Sequence, residues 1–113
     1  MITKFIIGNR TYIVQMNGDQ INKFYELIKD DVENQADVIQ LGSDLLVSGK
    51  LDKALSYCLV IEGSHFTESS AIETEKIIMN LNSLQKFQIV AEVLNQIMES
   101  FGIPIFDLPL NKN

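Results

Sequence analysis

Cysteine, histidine, proline and positive charge are all scarce in this chain. Its single cysteine, Cys58, has no partner, so no intramolecular disulfide can staple the fold and nothing points to an oxidising compartment. One cysteine and one histidine cannot close a tetrahedral zinc shell either. No apolar run approaches the roughly 20 residues that cross a bilayer. The opening "MITKFIIGNRTYIV" lacks the long apolar region and cleavage site of a secretory leader. A cytoplasmic protein is expected. Nine Lys and Arg against 15 Asp and Glu leave a formal net charge of −6 and a pI near 4.6. That field disfavours phosphate backbones and anionic lipid surfaces, so no nucleic acid and no membrane is expected as a partner. A basic or apolar protein surface remains compatible.

What is present fits a folded domain. Hydrophobic residues make up 46% and charged residues 21% of 113 residues, inside the globular range. A chain of that length can bury one core without metals or disulfides. Residues 1–102 are expected to form that single domain, with 103–113 as an extended apolar tail.

"ITKFIIGNRTYIVQM" predicts a β-hairpin. Two β-rich runs flank Gly8-Asn9, a pair that suits a two-residue turn with glycine first. That register pairs Phe5 with Tyr12, Thr3 with Val14 and Ile7 with Arg10, and puts Phe5, Tyr12 and Val14 on one inner face. Lys4 and Thr11 fall on the wetter face. A lone hairpin is marginal in water and must pack on helices or join a larger sheet.

Helical spacing follows. Asn17 or Asp19 can cap a helix whose stripe is Ile21, Phe24, Tyr25, Ile28 and Val32. Acidic Asp30, Asp31 and Glu33 sit badly at a helix C-terminus and predict a break near residues 30–35. A second run places Val38, Leu41, Gly42, Leu45 and Leu46 on one side and stops at Gly49. A third, "KLDKALSYCLVIEG", turns Leu51, Ala54, Leu55, Cys58 and Leu59 inward and ends at Gly63. The polar loop "SHFTESSAIETE" offers Thr67, Ser69 and Ser70 as caps for a fourth helix within Ala71–Leu81. "NSLQKFQIVAEVLNQIMESFG" carries the strongest helical signal, with Asn82 and Gln85 as a capping box and Gly102-Ile103-Pro104 as its stop. The fold class is therefore α+β, mostly α: an N-terminal hairpin packed on four to five short helices.

That last helix is apolar round much of its cylinder. Leu84, Phe87, Ala91, Leu94, Met98 and Phe101 form the main stripe, Val90 and Ile97 widen it, and Ile89 and Val93 lie well round it. So wide an arc suggests burial on more than one side, by its own domain or by another chain.

No catalytic constellation emerges, and the chain reads as a non-enzyme without cofactor. His65, in the polar loop, reads as solvent-facing. A Cys58–His65 nucleophile pair fits by residue type, but Cys58 falls on an apolar stripe, where a buried thiol is inert packing. "DDVENQAD" lacks the turn glycine of a calcium loop. Neither "MNGDQINK" nor "VSGKLDKA" has the glycines of a phosphate-binding loop.

The hairpin "KFIIGNRTYIVQM", the run "GKLDKALSYCLVIEG" and the final "LNSLQKFQIVAEVLNQIMESFGI" together resemble the small tail assembly chaperones of long-tailed phages in layout and hydrophobic pattern, over roughly residues 3–103. The resemblance implies a non-enzymatic, self-associating helper. Such a helper coats the aggregation-prone tape measure protein and assists polymerisation of the tail tube protein around it. Two surfaces could make those contacts: the outer arc of the last helix with Ile89, Val93, Ile97 and Phe101, and the tail with Ile103, Ile105, Phe106, Leu108 and Leu110. The rival expectation is a small acidic inhibitor or regulator of one host protein; an enzyme subunit is the weaker third.

The tail "FGIPIFDLPLNKN" is expected to be extended, since each proline biases its predecessor away from helix. Ile103 and Ile105 then face one way and Phe106, Leu108 and Leu110 the other. It either folds back over its own helices or docks on a neighbouring subunit or client.

Overall fold

The computed structural model describes residues 3–29 and 38–101. Among them the order is β1 (Lys4–Ile7), β2 (Arg10–Val14), α1 (Gly18–Ile28), α2 (Val38–Ser48), α3 (Leu51–Ser56), β3 (Leu59–Ile61), α4 (Glu68–Ile78) and α5 (Ser83–Phe101). The α+β class stands: a small antiparallel sheet that opens on the hairpin, packed on helices.

The hairpin has the register its turn dictates, with Phe5 opposite Tyr12 and Ile7 opposite Arg10. Gly8 sits at φ +64, while no non-glycine among the described residues has a positive φ. Asn9 therefore stays at negative φ, and the turn is of the glycine-first kind that matches strand twist. Tyr12 and Val14 are buried in the core and Phe5 packs against it. Lys4, on the opposite face, is exposed and reaches Glu62 at 2.6 Å.

The third helical run is shorter than its periodicity suggests. α3 ends at Ser56, and Leu59–Ile61 form β3, paired antiparallel with β2 through Tyr12↔Ile61 and Val14↔Leu59. The hairpin alone would leave the outer side of β2 with unpaired N–H and C=O groups, and β3 fills them. The ladder runs on at both ends, with Gln15 N donating to Cys58 O at 2.8 Å and Glu62 N to Thr11 O at 2.9 Å. Leu-Val-Ile suits a strand, and non-local pairing outweighs local helical spacing. Gly63, at φ +87, thus turns the chain after a strand and not after a helix.

Side-chain caps set the helix starts. Asn17 Oδ1 accepts from Gln20 N at 3.0 Å while Asn17 N donates to Gln20 Oε1 at 3.3 Å, a reciprocal capping box. Asn82 and Gln85 repeat it at 2.8 and 3.0 Å, as their spacing predicts. Thr67 and Ser70 do the same for α4, which therefore begins at Glu68, three residues before the expected start at Ala71. Gly49, at φ +77, ends α2 as expected.

Two stripes each give up one expected member to solvent. In α1 the buried positions are Gln20, Phe24 and Ile28, whereas Tyr25 is 49% exposed. Gln20 takes the place of an apolar residue because its Nε2 donates to Tyr57 O at 2.9 Å, so its amide is satisfied inside. In α2, Gly42 and Leu45 are buried but Leu46 is exposed; the side chains of Val38 and Leu41 lie outside the described residues. Val32, the expected break near 30–35 and the tail 103–113 also lie outside them, and α1 ends at Ile28 with Lys29 as its cap.

The core gathers one face of the sheet with all five helices: Tyr12 and Val14, Phe24 and Ile28, Leu45, Leu51, Ala54 and Leu55, Ile78, and Ile89, Val90, Val93 and Leu94. α3, of only six residues, sits near its middle: Ala54, Leu55 and the following Cys58 are 0 to 1% exposed.

Candidate contact surfaces

The described part of the outer arc expected of α5, Ile89 and Val93, is not a free surface. Ile89 and Val93 are each 1% exposed and belong to the core. They cannot meet a partner while the domain is folded, and their assignment as contact residues is corrected. The reason is that α5 is enclosed by three neighbours of its own chain. Towards the sheet, Gln96 Nε2 donates to Val14 O at 2.9 Å and Thr3 Oγ1 to Glu92 Oε1 at 3.0 Å. Towards α3, Lys86 pairs with Asp52 at 2.7 Å. Towards α2, the Phe87 ring lies against Gly42 so closely that a Cβ there would come within 2.9 Å. Helical periodicity identifies a wide apolar arc but not which neighbours use it. Ile97 and Phe101 belong to α5, but their side chains lie outside the described residues, as do Ile103, Ile105, Phe106, Leu108 and Leu110.

The apolar side chains that do reach solvent are elsewhere. Val47 is 88% exposed, Ile6 78%, Leu84 69%, and Ile72 and Met79 60% each. Ile72 and Met79 are seven residues apart and so share one side of the α4 segment. Leu84, expected inward, stands on the first turn of α5, one turn before the Phe87–Gly42 contact. Strand alternation foretells Ile6, since Phe5 and Ile7 point inward. Adjacent Leu46 and Val47 foretell that at least one must face out, but not that both do.

The groups with chemical potential are separated. Cys58 is fully buried, its Sγ lies 3.4 Å from Ala54 O, and burial pushes its thiol well above the ordinary range. His65 is exposed. No cluster of His, Cys, Asp and Glu among the described residues is arranged to hold a metal ion. No helix among them is long and apolar enough to cross a membrane. His65 does line a cleft of about 230 Å³ between the sheet and α4, together with Arg10, Tyr12, Glu73 and Thr74. Lys23 Nζ and Glu68 Oε1 meet at 2.8 Å on the surface and tie α1 to the start of α4; that hydrogen bond raises the lysine's pKa and lowers the glutamate's. No protein-family model, no curated protein and no solved structure matches the chain.

Proposed function

We propose that this chain is a non-enzymatic assembly helper of the phage tail assembly chaperone kind. In this reading it works in the host cytoplasm as a homo-oligomer. It covers apolar helical segments of a tape measure protein while tail tube subunits assemble around them. The observation that supports the reading is the set of large apolar side chains, Val47, Leu84, Ile72 and Met79, standing in solvent on an acidic body. Holding an aggregation-prone helix requires apolar contact area. Keeping the loaded complex dispersed requires net charge, here −6. With Ile89 and Val93 committed to the core, the contact role passes to these exposed residues and to the apolar tail.

Light scattering of the pure protein, with and without a tape measure fragment, tests the proposal. An oligomer, or a stable complex with the fragment, supports it. A clean monomer with no affinity for the fragment overturns it, and a monomer that binds a single host protein one-to-one favours the inhibitor reading instead.

A further inference from the structure

The only arginine and the only histidine of the sequence, Arg10 and His65, line the same cleft. Three elements bring them there. Arg10 opens β2 and shares the inner sheet face with Tyr12, because residues i and i+2 of a strand point the same way. His65 follows the turn at Gly63, where Ser64 N donates to Ile61 O at 2.9 Å and sends the chain back over the sheet. α4 supplies Ser70, Glu73, Thr74 and Ile77, the i, i+3, i+4, i+7 stripe of one helix face. The floor is apolar, with Tyr12 1% exposed and Ile61 and Ile77 beside it.

Ser70 is engaged in its capping box with Thr67, but the charged side chains of this cleft have no ion-pair partner among the described residues. Among the described residues, neither Arg10 nor Glu73 forms an ion pair, although Lys4, Lys23 and Lys86 all do. Thr74 is 5% exposed as a whole residue, and its hydroxyl, which makes no hydrogen bond among the described residues, is not a sealed atom. A hydroxyl that keeps some exposure on the wall of a cleft is free to donate to or accept from a ligand there.

We propose that this cleft binds a small amino-acid-like ligand, with its carboxylate on Arg10, its N–H group towards Glu73 and an apolar side chain over Tyr12, Ile61 and Ile77. The guanidinium fork matches a carboxylate in two parallel hydrogen bonds. The carboxylate of Glu73 disfavours a phosphate dianion and favours a molecule that carries a donor beside its negative group. The volume of 230 Å³ lies below the roughly 300–1,000 Å³ of pockets for drug-sized ligands, so one residue's worth of ligand fits. The terminal carboxylate of a peptide and a free amino acid share this chemistry. The site is independent of the exposed apolar residues that support the assembly role.

The test is a ¹H–¹⁵N NMR titration of the full chain with L-leucine, N-acetyl-L-leucine and L-leucinamide. Saturable shifts at the amides of Ser64, His65, Glu73 and Thr74 are expected with a carboxylate probe, and binding at least about tenfold weaker with leucinamide, which lacks the group that meets the guanidinium. N-acetyl-leucine binding as well as leucine, or better, identifies a peptide end; leucine alone identifies a free amino acid. Arg10→Gln is expected to lose about tenfold in affinity with an unchanged Tm, because Arg10 is exposed. If Tm does change, Arg10→Lys replaces it, retaining the charge and losing the fork. No saturable shift with any probe, leucinamide binding equal to leucine, or full affinity without the arginine overturns the proposal.

Discussion

Lys86 Nζ lies 2.7 Å from Asp52 Oδ1, joining the second turn of α5 to the first turn of α3. Lys86 is only 9% exposed, and Asp52 Oδ1 is buried without a directed hydrogen bond, so the ammonium is its compensation. Removing one partner strands the other charge. Asp52→Ala is expected to destabilise the fold by about 1–3 kcal/mol, less than a fully enclosed pair because the Asp52 side chain keeps 26% of its surface. The double variant Asp52→Ala, Lys86→Met is expected to recover most of the loss. Urea denaturation of both variants measures it, and a double variant as unstable as the sum of its singles would count against the pairing.

The α2–α5 crossing depends on a missing Cβ. Gly42→Ala would place that atom 2.9 Å from the Phe87 ring. Helix propensity favours alanine by about 1 kcal/mol, but overpacking costs about 1–3 kcal/mol. A net loss is expected in the native background. In a Phe87→Ala background the clash is gone and the same substitution is expected to stabilise. A thermal-melt double-mutant cycle reads the reversal of sign.

Asn17 and Gln20 cap α1 jointly, and Gln20 also holds Tyr57 O at 2.9 Å. Asn17→Ala is expected to cost about 1 kcal/mol, as a lost N-cap does. Gln20→Ala should cost more, because it also empties a fully buried site and orphans a carbonyl. Equal losses in denaturation experiments would argue against the buried role of Gln20.

Cys58 gives a pH signature. Burial raises its thiol well above the ordinary 9.0, so the folded chain keeps its proton where the unfolded chain has lost it. The unfolded state then binds fewer protons, and stability falls as pH rises through the unfolded value while staying unaffected below it. Against Cys58→Ala, the native chain is expected to lose stability above that value with an extra slope approaching about 1.4 kcal/mol per pH unit. Parallel profiles for the two proteins up to pH ~10.5, past the ordinary thiol range, would dismiss the effect. In the native state Cys58 should also resist thiol reagents until the chain unfolds.

The proposed assembly role makes a prediction for the tail. Deleting residues 103–113 is expected to alter oligomer size or client binding more than thermal stability. Unchanged assembly with a clear drop in Tm would instead assign the tail to the protein's own core.

The hairpin, its register, the capping box of Asn82 and Asn17 as one of two candidate caps were legible in the sequence because each depends on residues three to nine positions apart. Turn chemistry at Gly8-Asn9 fixes which residues oppose each other, and side-chain oxygens reach only their own first turn. The stop at Gly49 belongs to the same class. Tertiary structure decided the rest. Leu59–Ile61 became a strand because β2 had an edge to fill 45 residues away, as Val14 pairs with Leu59. Ile89 and Val93 went to the core because sheet, α2 and α3 all converge on α5, a convergence that no periodicity within the helix encodes. Arg10 and His65, 55 positions apart, came to line one cleft only once β3 and α4 had folded against β2. Local geometry writes elements into the chain, whereas the use of each apolar arc depends on backbone groups and side chains that only the folded domain brings within reach.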